Sequence, residues 1–160
     1  MTDLGPEPHP ALGDLVALIG IWTGHGRGFY PTIASFTYGE ELRLGHVGKP
    51  FLTWAQRTWS LEDGRPLHSE VGYLRPSAPG GVELVLAHPT GVVEVTEGTM
   101  AAGRLELRSV NIGLTTTAKE VSQVTRTMEL EGDTLSYVLA MAAVGEDLRD
   151  HLQATLHRSA

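Results

Sequence analysis

The histidines of this sequence are the side chains best suited to bind a metal or transfer protons, because imidazole titrates near neutral pH and is a common metal ligand. The chain has seven histidines and no cysteine, which excludes thiolate ligands and cysteine nucleophiles. No two histidines have HxH or HExxH spacing. We expect surface or capping roles for the five that lie in the N-terminal segment, in a glycine-rich segment or near strand ends and turns, namely His9, His25, His46, His68 and His88.

The other two histidines, His151 and His157, lie in the last segment of the chain, where a closing strand is expected. Strand alternation places both imidazoles on one face and Leu152, Ala154 and Leu156 on the other. If the leucine face points inward, both histidines point outward. A ligand histidine would break that rule, as functional residues often do, and the alternation alone leaves both possibilities open.

Hydrolase chemistry has little support in the sequence. Asp150 adjoins His151, but neighbouring strand residues point to opposite faces and cannot orient each other as in a catalytic triad. No G-x-S-x-G nucleophile elbow occurs. The carboxylates show no pairing typical of a glycosidase, and we expect them on solvated strand faces: Glu40, Glu41, Glu120 and Glu131.

A glycine-rich segment, residues 20–26, combines one tryptophan with three glycines: Gly20, Trp22, Gly24 and Gly26. Together with Gly28, its glycines leave one strand face without side chains, which allows another chain segment or a flat ligand to approach closely. Alternatively, the segment is a bend that closes the barrel, with Trp22 plugging one end. The segment alone does not decide between these interpretations.

Composition limits the classes of partner. The chain of 160 residues carries 12 Lys and Arg against 19 Asp and Glu, a net charge of -7, which disfavours nucleic acid and anionic membranes as partners. No apolar run approaches the ~20 residues of a spanning helix, and no secretory signal precedes the first apolar segment. We therefore expect a soluble, cytoplasmic protein.

Hydrophobic periodicity predicts an all-β fold with a short N-terminal helix. We expect residues 1–12 to form a loose arm and residues 13–160 a single domain that begins with this helix. After Ile21, alternating segments are separated by turn residues such as Asp63-Gly64 and Gly132-Asp133. About ten such segments, without helical crossovers, predict a single antiparallel up-and-down β-barrel. A barrel of this size should enclose a cavity, and we expect its lumen to be largely apolar.

Short blocks of residues along nearly the whole chain follow the motif order of one known family. The glycine-rich segment Gly20 to Gly26 reads GxWxGxG. The further blocks are residues 28–32 (GFYPT), 36–41 (FTYGEE), 46–51 (HVGKPF), 67–70 (LHSE), 72–75 (GYLR), 87–91 (AHPTG), 118–121 (AKEV) and 150–152 (DHL). In these blocks the sequence resembles the nitrobindins, a family of haem-binding β-barrels, and especially their mycobacterial and other actinobacterial members.

The resemblance implies a peroxynitrite isomerase that depends on haem b, with one haem per subunit. By matching position, His151 would be the proximal iron ligand, with His157 as the fallback, and Thr32 and Lys119 would lie near the haem. The resemblance also implies nitric oxide binding, protection against reactive nitrogen species and a homodimer. With an apolar lumen that offers no second ligand, we expect five-coordinate iron.

Two other functions remain compatible with the sequence. A small barrel of this kind can carry a fatty acid or another apolar ligand without any metal. A haem-based nitric oxide sensor without turnover would share every residue with the enzyme.

Overall fold

A computed structural model describes residues 5–159 of the chain. Ten antiparallel strands follow one another in sequence order around a closed barrel, and β1 pairs with β10 to complete it. A 3₁₀ helix, Pro10–Leu18, precedes them. The strands are β1 Gly20–Tyr30, β2 Ile33–Gly45, β3 Leu52–Ser60, β4 Pro66–Pro76, β5 Gly81–Ala87, β6 Val92–Ala101, β7 Arg104–Leu114, β8 Val121–Glu131, β9 Thr134–Ala143 and β10 Arg149–Ser159.

The predicted barrel and its short N-terminal helix are confirmed. Turn glycines adopt the left-handed backbone conformation that tight connections require, as at Gly64 (φ 76°) and Gly132 (φ 60°). The helix begins at Pro10 and therefore takes in the last three residues of the segment expected as a loose arm. Residues 1–4 of that arm lie outside the described part of the chain.

The N-terminal helix closes one end of the barrel. Its residues Leu12, Leu15 and Leu18 are buried in the main hydrophobic core. The fully buried Trp22 donates from Nε1 to the Leu18 carbonyl oxygen at 2.9 Å, and the guanidinium of Arg158 covers its ring at 4.2 Å. Within residues 5–159, no helix is long and apolar enough to cross a membrane.

The glycines of β1 make room for aromatic rings on β2. A Cβ at Gly26 would lie 2.4 Å from the Tyr38 ring, and one at Gly28 would lie 2.2 Å from the Phe36 ring. Both distances are too short for real carbon contacts, so only glycine fits. The glycine face is thus packed against another chain segment, and Trp22 lies at the closed end of the barrel.

Candidate functional site

A large cavity occupies the barrel at the end opposite the helix. It measures about 1580 Å³ and is lined from the loops β1–β2, β3–β4, β5–β6, β7–β8 and β9–β10. Exposed loop residues such as Thr32 and Lys119 belong to its lining, so the cavity opens at this end. Apolar side chains form much of its wall, among them Phe36, Val121, Leu139, Met141 and Leu152.

His151 lines this cavity because of a β-bulge. In the pairing of β10 with β9, Asp150 is opposite Ala140 and Leu152 is opposite Leu139, so His151 is an extra residue without a partner. A bulge re-aims the side chain at its position. Consequently His151 and Leu152 both contribute to the cavity wall. Further along β10 the leucine face points inward, and His157 is exposed.

A hydrogen bond fixes which nitrogen of His151 is free. The Nδ1 atom lies 3.0 Å from the carbonyl oxygen of Phe29. A carbonyl can only accept, so Nδ1 carries the hydrogen, and in the neutral ring Nε2 keeps its lone pair. Tyr30 contacts the imidazole edge-on, with ring centroids 5.2 Å apart. This arrangement can ligate a metal through Nε2, since ligand histidines usually donate their other N–H to such an acceptor.

The residues predicted from the family blocks lie in three places. Thr32 and Lys119 line the same cavity as His151 and are exposed near its opening. His157 faces away from the cavity and lies 3.3 Å from the hydroxyl of Thr134. The signature residues Gly20, Trp22, Gly24 and Gly26 are not among the cavity's lining residues; they serve the packing of β1.

The prediction of a largely apolar lumen is wrong in its middle layer. Three glutamates and one arginine point inward there and are almost completely buried: Glu40, Glu70, Glu94 and Arg126. The apolar prediction holds for the closed end, where leucines fill the core. We name this layer the central polar cluster; it also contains Tyr38, Gln56 and Tyr137.

Glu40 was expected on a solvated face and is instead 2% exposed. It accepts from the Tyr137 hydroxyl at 2.5 Å and from the Gln56 amide at 3.2 Å. Burial raises its pKa to about 7, although both hydrogen bonds oppose the shift. Burial likewise raises the pKa of Tyr137 well above its ordinary value, with the Glu40 charge adding to the effect. Both groups therefore favour their neutral forms.

Arg126 forms ion pairs with the other two glutamates, Glu70 and Glu94. It donates to both carboxylate oxygens of Glu70 at 3.2 Å and to Glu94 at 2.5 Å. Burial alone would raise the pKa of Glu94, but the charge of Arg126 and a hydrogen bond from His88 hold it at about 2. Burial alone would lower the pKa of Arg126, and the two carboxylates raise it instead. Glu94 and Arg126 are therefore both charged at neutral pH.

The prediction that His68 and His88 are surface residues is also wrong. Both line the cavity, with side chains 34% and 11% exposed. His68 Nε2 lies 3.0 Å from His88 Nδ1, and His88 Nε2 lies 2.8 Å from Glu94. Burial lowers the pKa of His68. Predictions for three other histidines are confirmed: His9 and His46 accept from backbone N–H groups two residues later, and His25 is exposed.

A signal for the central polar cluster exists in the sequence but is easily misread. Arg126 shares strand parity with the apolar Val124 and Met128, and Glu40 shares it with Tyr38 and Leu42. The charged residues therefore stand on the inward face of their strands, among apolar neighbours, and the expectation of an apolar lumen overlooked them. Glu120 and Glu131 are exposed as predicted, and Glu41 pairs with Arg43 and Arg57 on the outer surface.

Comparison with known proteins connects this cavity to a described family. Residues 11–158 match the model of the "THAP4-like, heme-binding beta-barrel domain". The matched range contains every strand except the final residue of β10. It also contains all the cavity residues described above.

Curated relatives cover nearly the whole chain. Peroxynitrite isomerase 2 of Mycobacterium avium (strain 104) is 53% identical, with 98% of each chain covered. Peroxynitrite isomerase of Nocardia farcinica (strain IFM 10152) is 50% identical, with 96% of each covered. The crystal structure of Rv2717c from M. tuberculosis superimposes with a TM-score of 0.91 at 51% identity and covers 96% of this chain and 100% of that one.

Proposed function

We propose, since this chain belongs to the family of THAP4-like, heme-binding beta-barrel domains, that it holds one haem b per subunit and isomerises peroxynitrite to nitrate. The observation that carries the proposal is His151. Its Nε2 is free for a metal and its side chain lines a cavity of about 1580 Å³. Relatives named peroxynitrite isomerase, 50–53% identical over nearly the full chain, supply the reaction.

The cavity residues fit the bound group by their chemistry. His151 would be the proximal ligand, because the Phe29 carbonyl fixes its tautomer and Tyr30 restrains its ring. Lys119 would pair with a propionate near the opening, and Thr32 would contact the same edge. Leu139, Met141 and Leu152 would exclude water from the flat faces.

Haem iron would supply the electrophile at which the O–O bond of peroxynitrite is rearranged, with all atoms retained in the nitrate product. The chain's own part is to hold the imidazole and keep the cavity apolar near it. On another part of the cavity wall, His68 contacts His88, and His88 in turn contacts Glu94. With His151 as its ligand from the protein, the iron would be five-coordinate, and peroxynitrite or nitric oxide would bind it within the same cavity.

A stopped-flow measurement tests this function. Haem-loaded protein should accelerate peroxynitrite decay and raise the yield of nitrate over nitrite, whereas apo-protein should not. His157→Ala is the matched control, since its imidazole faces outward, and should behave like the unaltered protein. Haem binding with nitric oxide affinity but no acceleration would indicate a sensor instead. Failure to bind haem, with uptake of a fatty acid, would indicate an apolar carrier.

We also propose that the chain forms a homodimer in the cytoplasm. Four large apolar side chains stand exposed on the outer face of β4, β5 and β6: Val71, Tyr73, Val85 and Val93. Tyr73 and Val85 are direct partners in the sheet, so the residues form one patch that a second copy could cover. Tyr73→Lys should yield a monomer in light scattering, whereas Val110→Lys on β7 should not. A dimer that survives Tyr73→Lys would contradict this surface.

A further inference from the structure

Three side chains inside the barrel present metal-ligand atoms to one another. His68 and Glu70 stand two residues apart on β4, and His88 directly follows β5. His68 Nε2 lies 3.0 Å from His88 Nδ1 and 4.0 Å from Glu70 Oε2, and the remaining separation, His88 Nδ1 to Glu70 Oε2, is 3.6 Å. The β4 pair shares an inward face because alternate strand residues point the same way.

These separations match a transition-metal site. A point equidistant from the three atoms lies about 2.1 Å from each, which is the bond length of Zn²⁺ to imidazole nitrogen and carboxylate oxygen. We propose that His68, Glu70 and His88 bind a divalent transition-metal ion of the Zn²⁺ class, separate from the His151 site. Two imidazoles and one carboxylate leave at least one coordination position open to the cavity.

A second layer of hydrogen bonds already orients two of the ligands. His88 Nε2 lies 2.8 Å from Glu94 Oε1. Glu94 is ionised and can only accept, so Nε2 carries the hydrogen and Nδ1 presents its lone pair. Glu70 Oε1 accepts from Trp54 Nε1 at 3.1 Å and from Arg126 at 3.2 Å. A carboxylate that orients a ligand histidine in this way is a common feature of zinc sites.

His68 is the ligand that must change on metal binding. Because His88 Nδ1 accepts, His68 Nε2 now carries the hydrogen shared across the 3.0 Å contact. A metal would take the place of that hydrogen, and His68 would shift to the tautomer protonated at Nδ1. Its side chain is 34% exposed, so solvent can receive the new N–H.

The charge balance favours a cation. Two glutamates, Glu70 and Glu94, share a single guanidinium, that of Arg126. Glu94 Oε2 is buried and has no hydrogen-bond partner among the described residues. An unpaired buried acceptor is costly, and a divalent ion on the adjacent Glu70 and His88 would offset this excess negative charge.

Cobalt titration of the metal-free apo-protein tests the site. Co²⁺ should bind with one-to-one stoichiometry and produce the visible d–d bands of a nitrogen- and oxygen-ligated ion, and Zn²⁺ should displace it. His68→Gln and His88→Gln should each weaken binding at least tenfold. Glu94→Gln should weaken it roughly 10- to 100-fold without removing a ligand. His25→Gln, an exposed histidine on β1, is the matched control and should leave binding unchanged.

Two results would overturn the proposal. Unchanged Co²⁺ affinity in folded His68→Gln and His88→Gln, checked by far-ultraviolet circular dichroism, would show that these residues are not the ligands. Loss of the cobalt bands in His151→Ala would assign the ion to the haem-side histidine. If haem binding fails but cobalt binding follows the expected pattern, the metal site stands without the proposed function.

Discussion

His151 Nδ1 lies 3.0 Å from the main-chain carbonyl oxygen of Phe29, on the strand that pairs with β10 to close the barrel. The contact joins the last strand to the first and settles the tautomer of the imidazole. It depends on the bulge between Asp150 and Leu152, which gives His151 a direction that regular alternation would deny it. The orientation of the proposed haem ligand therefore depends on the pairing of β10 with β1 that closes the barrel.

Lys119→Met should weaken haem binding by a factor of several. Its ammonium group lies exposed at the cavity opening, where an ion pair contributes at most about 1 kcal/mol. Hemin titrations at the Soret band measure the change, and the difference should shrink in high salt because exposed charges are screened. Lys49→Met, at the opposite end of the barrel, should have no effect. Equal haem affinities for Lys119→Met and Lys49→Met would show that Lys119 does not contribute to haem binding.

Glu40→Gln should change how stability depends on pH. The pKa of Glu40 in the folded protein, about 7, exceeds the ordinary value of 4.5. The native state therefore holds a proton that the unfolded chain has released, and the free energy of unfolding falls as pH rises between these values. Ionising the buried group costs roughly 3 kcal/mol. Urea unfolding at several pH values measures this effect. Between pH 4.5 and pH 8, the free energy of unfolding of the variant should rise by roughly 3 kcal/mol relative to that of the unaltered protein.

The exposed Glu131→Gln is the control for this experiment and should retain the pH dependence of the unaltered protein. A Glu40→Gln variant that parallels the unaltered protein at every pH would show that Glu40 is not held neutral by burial.

Arg126→Met should be strongly destabilising at neutral pH. It would leave Glu70 and Glu94 buried without their counter-charge, and breaking a buried ion pair from one side typically costs about 3–5 kcal/mol. The loss should be smaller at pH 4, since Glu94 without Arg126 would take up a proton instead of remaining ionised with a pKa of about 2.

Chemical denaturation at both pH values measures this effect. Arg104→Met removes an arginine that contacts Glu106 and Glu129 on the barrel surface, and it should change stability little. Similar losses for the two arginines would contradict the account of the central polar cluster.

Gly26→Ala should lower stability by about 1–3 kcal/mol, because the added methyl group would overlap the Tyr38 ring. Combining it with Tyr38→Leu should cost less than the sum of the two single changes, because the overlap with the ring is relieved and only the 2.7 Å contact with the Gln153 carbonyl oxygen remains. Thermal unfolding measures both. Gly113→Ala on β7 is the control, because a Cβ there meets only ordinary contacts. If the two changes lower stability additively, Gly26 is not required to make room for the Tyr38 ring.

The sequence predicts the barrel well because hairpin order follows from local signals. Turn glycines such as Gly64 and Gly132 and the alternation between them indicate consecutive antiparallel strands, and ten of these close on themselves. The closed end is also predictable, since Trp22 and the helix leucines follow simple apolar patterns.

The direction of individual side chains is harder to predict. By strand alternation His151 lies on the same face of β10 as the exposed His157. The bulge alone turns its side chain into the cavity, and no residue type in the sequence indicates that bulge. The family resemblance identifies His151 as the candidate iron ligand, which strand alternation alone does not. Arg126 pairs across the lumen with Glu70 and Glu94, which lie on strands far from it in sequence. These ion pairs can therefore be recognised only from the closed barrel.

Hemin titration of His151→Ala beside His157→Ala tests the central claim most directly. The Soret band and the ferrous nitric oxide spectrum report whether a histidine holds the iron, and added imidazole should restore a histidine-like spectrum to the alanine variant. We predict that His151→Ala loses the five-coordinate histidine spectrum while His157→Ala keeps it. A five-coordinate histidine spectrum that survives in His151→Ala without added imidazole would contradict the assignment of the proximal ligand.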